Sequence, residues 1–329
     1  MTTVRWGLLS TAHINRRVIP AIHASPRSEL VAVASRDLDR AQAYAHKWEI
    51  PQAFGGYEEM LISGKVDAVY LSLPNHLHAR WSIRALEAGV NVLCEKPLAL
   101  TVKEVDQMIA ASRRTGHRLA EAFMYRHHPQ TLLAGEWIKS GRLGEISLIR
   151  SVFNFKIGER EGNIRLIPEY GGGSLWDVGV YPVSFAQFIF AGPPDRVSGE
   201  RWTGDTGVDE TFTGQLHYPG DRMALVASSL RMPFYTAAEI IGTGGRLHID
   251  LPFVSYDGAP TMLFYAENGR AEQIPVPDEE LYLGEIEDMN AAILDGAPNY
   301  LSLEESRDHI RTVTALYAAA ERRQVIYLE

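Results

Sequence analysis

Three polar side chains in this sequence of 329 residues have the types and spacing that proton transfer at a hydroxyl group requires. Lys96 ends an apolar run in Cys94-Glu95-Lys96-Pro97, and Asp177 and Tyr181 stand four apart in Gly171-Gly-Gly-Ser-Leu-Trp-Asp177-Val-Gly-Val-Tyr181. A tyrosine is a weak base at its reference pKa of about 10 and needs a nearby cation to favour its anion. A lysine supplies that cation and can also donate to an alcohol oxygen. Residues four apart on a helix face the same way, so Asp177 can hold a neighbouring hydroxyl, or steer Lys96, while Tyr181 moves the proton. Tyr181 is read as proton acceptor or donor, Lys96 as its partner and Asp177 as the orienting group; the first two roles are open to exchange. Singly, each has a plainer reading: a solvated lysine, a carboxylate serving a helix start and a core aromatic.

Hydride chemistry also needs a nicotinamide, and the first third of the chain has places to hold one. The turn after the first strand reads Gly7-Leu-Leu-Ser10-Thr11-Ala12-His13-Ile14. A dinucleotide fingerprint has three glycines, for a tight turn, for backbone approach to the pyrophosphate and for helix packing. Only Gly7 remains; Ser10 and Ala12 are small, and Ser10 adds a hydroxyl suited to a phosphate oxygen. An ordinary strand-to-helix turn is the alternative. The second strand ends in Ala34-Ser35-Arg36-Asp37. An NAD enzyme places an acid there against the ribose 2′-hydroxyl. Arg36 instead suits a 2′-phosphate, and Asp37 is better used as a helix cap, so NADP is expected over NAD.

The elements that must position these residues follow from pattern. Apolar runs at Val4–Leu9, Leu30–Ala34, Val66–Leu73, Val90–Cys94 and Arg118–Ala122 read as strands. Between them, Ile14–Ala24, Leu38–Trp48, His78–Ala88 and Thr101–Thr115 read as helices, Thr101 and Glu104 having the spacing of a capping box. Strands separated by such helices make a parallel sheet, and ligands sit at the carboxyl ends of its strands. That edge holds Leu73-Pro74-Asn75-His76-Leu77-His78 and Glu95-Lys96-Pro97. After Ala122 the texture changes. Helices are expected at His128–Ser140, Ser174–Phe190, Glu279–Leu294 and Ser302–Arg323, and strands at Leu143–Phe155, Thr211–His217, Met223–Ser229, Ala237–Ile241, Arg246–Ile249 and Val325–Leu328. Short Gly and Pro turns between successive strands predict an antiparallel sheet. The expectation is an α/β chain with domains over residues 1–122 and 123–329.

Composition removes several classes. With 46% hydrophobic and 22% charged residues the chain reads as globular, and its apolar runs fall short of the roughly 20 residues that span a bilayer. A net charge of −9 argues against nucleic acid and anionic membrane surfaces. One cysteine, Cys94, excludes an internal disulfide, and with no export signal at the N-terminus it fits the cytoplasm. The pairs His76/His78 and His127/His128 lack the ligand spacing of a zinc site, so no metal is expected.

With these residues in view, the sequence resembles the Gfo/Idh/MocA oxidoreductase family. The likeness rests on Glu95-Lys96-Pro97, on Gly171 to Tyr181, on Asn75-His76 and on the domain order. Tyr181 together with Glu121-Ala-Phe-Met-Tyr125-Arg126-His-His-Pro129 is similar to the branch of glucose–fructose oxidoreductase, dimeric dihydrodiol dehydrogenase and NADP-dependent xylose dehydrogenase. The resemblance implies an N-terminal Rossmann domain, a C-terminal α+β domain with a large open-faced, mostly antiparallel sheet, and a nicotinamide between them. It also implies a cis Lys96–Pro97 bond and a homo-oligomer, dimer or tetramer, formed through the open face. The expected cofactor residues are Gly7, Ser10, Thr11, Ala12, His13, Ile14, Ser35, Arg36, Leu73, Pro74, Asn75, His76, His78, Glu95, Lys96 and Pro97. Lys96, Asp177 and Tyr181 face substrate, joined by Tyr125, Arg126 and Trp176, for which core packing is an equal alternative. The expected activity is NADP-dependent oxidation of a sugar or related polyol, such as an aldose at C1 to a lactone. Dihydrodiol oxidation or sugar-ketone reduction are alternatives on the same residues, and a non-catalytic NADP-binding sensor is the minority alternative.

Overall fold

The structure is a computed structural model and describes residues 2–254 and 261–328. In chain order the first elements are β1 (Val4–Leu9), α1 (Asn15–Ala24), β2 (Ser28–Ala34), α2 (Leu38–Trp48), β3 (Gln52–Phe54), α3 (Tyr57–Ile62), β4 (Ala68–Leu71), α4 (His78–Glu87), β5 (Asn91–Glu95), α5 (Val102–Thr115) and β6 (Leu119–Ala122). There follow α6 (Pro129–Lys139), β7 (Ile146–Lys156), α7 (Val180–Phe190), β8 (Arg196–Thr203), β9 (Asp209–Tyr218), β10 (Arg222–Ser229), β11 (Arg231–Gly242), β12 (Gly245–Asp250), β13 (Thr261–Ala266) and β14 (Ala271–Pro275). The chain closes with α8 (Leu283–Leu294), α9 (Leu303–Arg322) and β15 (Ile326–Tyr327). The pair β3 and α3 is absent from the sequence expectation, because a strand of three half-buried residues shows no period. The chain forms two compact units, Met1–Met124 with Tyr282–Arg307, and Tyr125–Leu281 with Asp308–Glu329. Residues 282–307 thus pack with the first unit, whereas the two-block expectation put them in the second.

In the first unit, among the described residues, six strands pair in the order β3-β2-β1-β4-β5-β6, each pair parallel. This is the Rossmann arrangement, and the strand order reverses between β1 and β4. Both faces of such a sheet are covered, so its strands are apolar throughout: Leu8, Val33, Val69, Leu71 and Val92 are fully buried. Local signals set the helix ends. Asp37 accepts from the Arg40 amide at 2.9 Å and caps α2. Thr101 accepts from the Glu104 amide, and Glu104 reaches back to the Leu100 amide and the Thr101 hydroxyl at the start of α5. Inside this unit Asn290 of α8, fully buried, accepts from the Trp6 indole at 3.2 Å and donates to Ser25 and Ser28.

In the second unit the described strands pair in the order β14-β13-β12-β11-β7-β10-β9-β8-β15. All pairs are antiparallel except β7 with β10. The strands alternate, as a sheet with one solvated face must. Ile149, Ser151 and Phe153 of β7 are buried, while Arg150 between them is exposed. The other face is open. A hollow of about 760 Å³ on it is lined by Arg150, Thr213, Gln215, Leu225, Tyr235 and Glu239 among others, and by none of the candidate site residues. Helix α7 is apolar all round and almost wholly buried, the pattern of a helix inside a core.

Replacing Asn290 by Ala strands the Trp6 indole in the core and removes the bonds to Ser25 and Ser28. The expected loss is about 3 kcal/mol of unfolding free energy, read as a lower urea midpoint with unchanged slope.

Candidate active site

The ends of β1 and β4 are joined where the strand order reverses. The Ser10 and Ser72 hydroxyls lie 2.8 Å apart, the Ser72 hydroxyl donates to the Asn15 side chain at 2.7 Å, and Asn15 donates to the Ser10 carbonyl at 2.8 Å. Ser10 also accepts from the Ala12 amide at 3.0 Å. The Ser10 hydroxyl is thus engaged in shaping the turn. Gly7 lies inside β1, where a Cβ would sit 2.9 Å from Val66 and 3.2 Å from Met60; its small size serves helix-to-sheet packing. Thr11, Ala12, His13 and Ile14 lead into α1, whose first turn has no acidic residue and no side-chain cap. An uncapped helix start without an acid suits a pyrophosphate.

Beyond β2, Ser35 accepts from the Asp37 amide at 3.3 Å, and Arg36 is exposed. Burial raises the Tyr57 pKa, against the pull of the Arg36 and Arg40 charges beside it. Two guanidinium groups therefore stand beside the end of β2.

The loops after β4 and β5 carry the other candidates. Leu73 and Pro74 lead into a short 3₁₀ turn, Asn75–Leu77, which contains Asn75 and His76. His78 is fully buried, with Nδ1 2.7 Å from the Pro97 carbonyl and Nε2 2.7 Å from the Leu73 carbonyl. It braces the two loops from inside. Burial pulls its pKa down to about 4, against the pull of the two carbonyls. Glu95 accepts from the Tyr70 hydroxyl and, at 3.2 Å, from the Lys96 amide. Burial and the charges of Glu95 and Glu285 push the Tyr70 phenol well above its ordinary value. Lys96 itself is half-buried, and the Lys96–Pro97 bond is cis.

In the second unit Asp177 lies in a π-helical turn, Leu175–Gly179, that runs directly into α7; the sequence predicts one α-helix over 174–190. Asp177 accepts from Arg165 Nε at 2.7 Å. The buried Tyr181 ring packs beside Phe153, Phe253 and Tyr125, with centroids 5.4, 5.5 and 5.9 Å away. The other three expected substrate contacts lie within the second unit. Tyr125 is fully buried and donates to the Ser184 hydroxyl at 2.8 Å. Arg126 is buried, its guanidinium 4.3 Å from the Phe188 ring centre. Trp176 is buried and packs on Tyr317, with centroids 5.5 Å apart.

Sequence reasoning missed Ser72, Asn15, Arg40 and Arg165. Arg40 had a signal in its four-residue spacing from Arg36, and Ser72 and Asn15 in being polar beside apolar runs; Arg165 had none. Among the described residues, no group of three or more His, Cys, Asp or Glu side chains could hold a metal ion, and no helix is long and apolar enough to cross a membrane.

Residues 4–123 match the model of the oxidoreductase family with the NAD-binding Rossmann fold, and residues 131–248 match the GFO/IDH/MocA C-terminal domain. The chain belongs to the GFO/IDH/MocA family. It is thus an oxidoreductase on an NAD(P)-binding fold. It is 39% identical to a D-xylose 1-dehydrogenase (NADP⁺) of Haloferax volcanii, over 98% of this chain and 99% of that one. It is 34% identical to trans-1,2-dihydrobenzene-1,2-diol dehydrogenase of Danio rerio, over 85% and 82%. Among solved structures, a 3-ketoreductase from Actinomadura kijaniata in complex with NADP and TDP-benzene matches with a TM-score of 0.89 and 31% identity, over 96% of this chain and 98% of that one. That ketoreductase has also been solved with a lysine replaced by alanine and with a tyrosine replaced by phenylalanine.

His78 ties stability to acidity. Its pKa is about 4 in the fold against 6.5 for an ordinary histidine, so below pH 6.5 the unfolded chain binds the proton more readily. Its contribution is complete above pH 6.5 and is lost as pH falls toward 4, about 2 kcal/mol by pH 5. Urea midpoints at pH 7 and pH 5 check this: the drop should be smaller in His78→Gln than in the parent.

Proposed function

We propose that the protein is an NADP(H)-dependent oxidoreductase that passes a hydride between nicotinamide and a hydroxyl-bearing carbon of a sugar or related polyol, most concretely an aldose at C1, giving the lactone. The observation that carries the reading is the end of β5. There Lys96 stands at the carboxyl edge of the nucleotide-binding sheet, its backbone held by Glu95 and its following proline by His78. The full-length likeness to a D-xylose 1-dehydrogenase supports the substrate class, and Arg36 with Arg40 supports the 2′-phosphate. The lysine and tyrosine replaced in the ketoreductase are separated in sequence by nearly the interval between Lys96 and Tyr181, which supports these two as the pair that matters.

When bound, the nicotinamide supplies the site that accepts or returns the hydride. Tyr181 takes the hydroxyl proton in oxidation and returns it in reduction. Lys96 donates to the substrate oxygen and favours the tyrosinate, and Asp177 holds a neighbouring hydroxyl. Arg36 and Arg40 pair with the 2′-phosphate, and the amides at the start of α1 receive the pyrophosphate. The single cysteine, Cys94, supports a cytoplasmic setting. Leu225 and Tyr235 on the open sheet face, 37% and 53% exposed, support association of copies through it.

Incubation with D-xylose, D-glucose, a trans-dihydrodiol and NADP⁺ or NAD⁺ should give reduced-nicotinamide absorbance, fastest with an aldose and NADP⁺. Lys96→Met and Tyr181→Phe should each lower kcat by about 10²–10⁴-fold while still binding NADPH; turnover at the parent rate in both refutes the assignment. Arg36→Ala should raise the KM for NADP⁺ about 10–100-fold and leave that for NAD⁺ unchanged. Sedimentation should report an oligomer that Leu225→Glu shifts toward monomer.

A further inference from the structure

A π-turn has poorer hydrogen-bond geometry than an α-turn and persists where its surroundings hold it. The turn Leu175–Gly179 is held at both ends from within its own unit. At its leading end the Leu175 amide and the Ser174 hydroxyl donate to Asp209 Oδ2, at 2.9 and 2.7 Å. The Tyr317 hydroxyl donates to Asp209 Oδ1 at 2.7 Å. At its trailing end the Val180 carbonyl lies 3.0 Å from Nε2 of the fully buried His309. His309 and Tyr317 both lie on α9, eight residues apart, so one helix reaches both ends of the turn.

The glycines before the turn make room for this clamp. A Cβ at Gly173, where φ is +122°, would lie 2.1 Å from Asp209 Oδ1, and one at Gly172 would lie 2.7 Å from the Arg165 carbonyl. Asp209 is 2% exposed. Burial raises its pKa while its three donors hold it down. A buried carboxylate that receives three donors fixes where those donors point. Asp209 and Tyr317 were not among the residues singled out for chemistry, and neither carries a reacting atom.

We propose that Asp209, held by Tyr317, is a positioning residue for the reaction: it locks the π-turn and so sets the direction in which Asp177 and Tyr181 are presented to substrate. This rests on the reading that Tyr181 and Asp177 act on the substrate. A small error in the placement of reacting groups costs about 10²-fold in rate. The effect therefore falls on kcat and not on cofactor binding, which belongs to the other unit.

The test compares Asp209→Asn, Tyr317→Phe, their combination and Tyr181→Phe. Asp209→Asn keeps the size but places an amide where a donor is already directed. The expected result is a fall in kcat of about 10–100-fold in Asp209→Asn, a smaller fall in Tyr317→Phe, and a combined loss well short of their product. The NADPH dissociation constant and the far-ultraviolet circular dichroism should stay as in the parent. Amide hydrogen exchange at Leu175 should quicken at least about tenfold, as a lost bond of about 1.4 kcal/mol requires. Should Asp209→Asn fail to fold, Tyr317→Phe carries the same two readouts alone. Parent-like kcat in the folded Asp209 and Tyr317 variants, with Tyr181→Phe inactive, overturns the positioning role alone. Parent-like turnover in Tyr181→Phe overturns the underlying reading and the positioning role with it.

Discussion

The contact between the Ser10 and Ser72 hydroxyls joins the ends of two strands that are neighbours in the sheet but far apart in the chain. They lie where the strand order reverses, so the helices after β1 and β4 leave on opposite faces and a crevice opens between them. Asn15 ties the start of α1 to the same pair. Because every strand of this sheet runs the same way, the segments after β1, β2, β4 and β5 reach one edge together. The uncapped start of α1, Arg36, the Asn75–His76 turn and Lys96 all follow from that single fact of direction.

The second unit solves a different problem. An antiparallel sheet with one solvated face cannot offer a common edge, so its candidate groups come from a helix laid on the covered face. That helix, α7, is apolar on all sides. The candidate polar groups stand at its leading turn, and there the chain departs from α geometry. Arg165 meets Asp177 as part of the same arrangement, since its carbonyl accepts from the Gly173 amide while its guanidinium reaches the carboxylate. The short segment before the turn and the turn itself are therefore one assembly.

What could be read from the sequence was what is local. Asp37 as a cap, Thr101 with Glu104, and the span of α2 depend on residues within one or two helical turns, and they stand as expected. The parallel sheet was legible because buried strands are continuously apolar. The two-block division missed the return of residues 282–307, because nothing in a helical pattern tells which core it will join. Tyr125, Arg126 and Trp176 sat beside recognisable motifs, but a side chain's neighbours decide whether it faces a cleft or a core, and those neighbours are distant in sequence. His78 shows the same limit: its spacing from His76 suggests a shared role, yet one is half-buried in a turn and the other is a brace with a carbonyl at each nitrogen. The clamp on the π-turn had no sequence signal at all, since Asp209 and Tyr317 are 108 positions apart.

The bond between the Trp6 indole and Asn290 spans 284 positions. The nucleotide-binding half therefore lacks one of its own helices until the ribosome has made nearly the whole polypeptide. Its opening six strands and five helices must wait, with Trp6 short of its final partner, while the intervening sheet is synthesised and folds. Contacts of such long sequence separation slow folding, and a nascent chain in that waiting state presents apolar surface to chaperones. An expression host that translates slowly at low temperature should, on this ground, yield more of the active enzyme than a fast one.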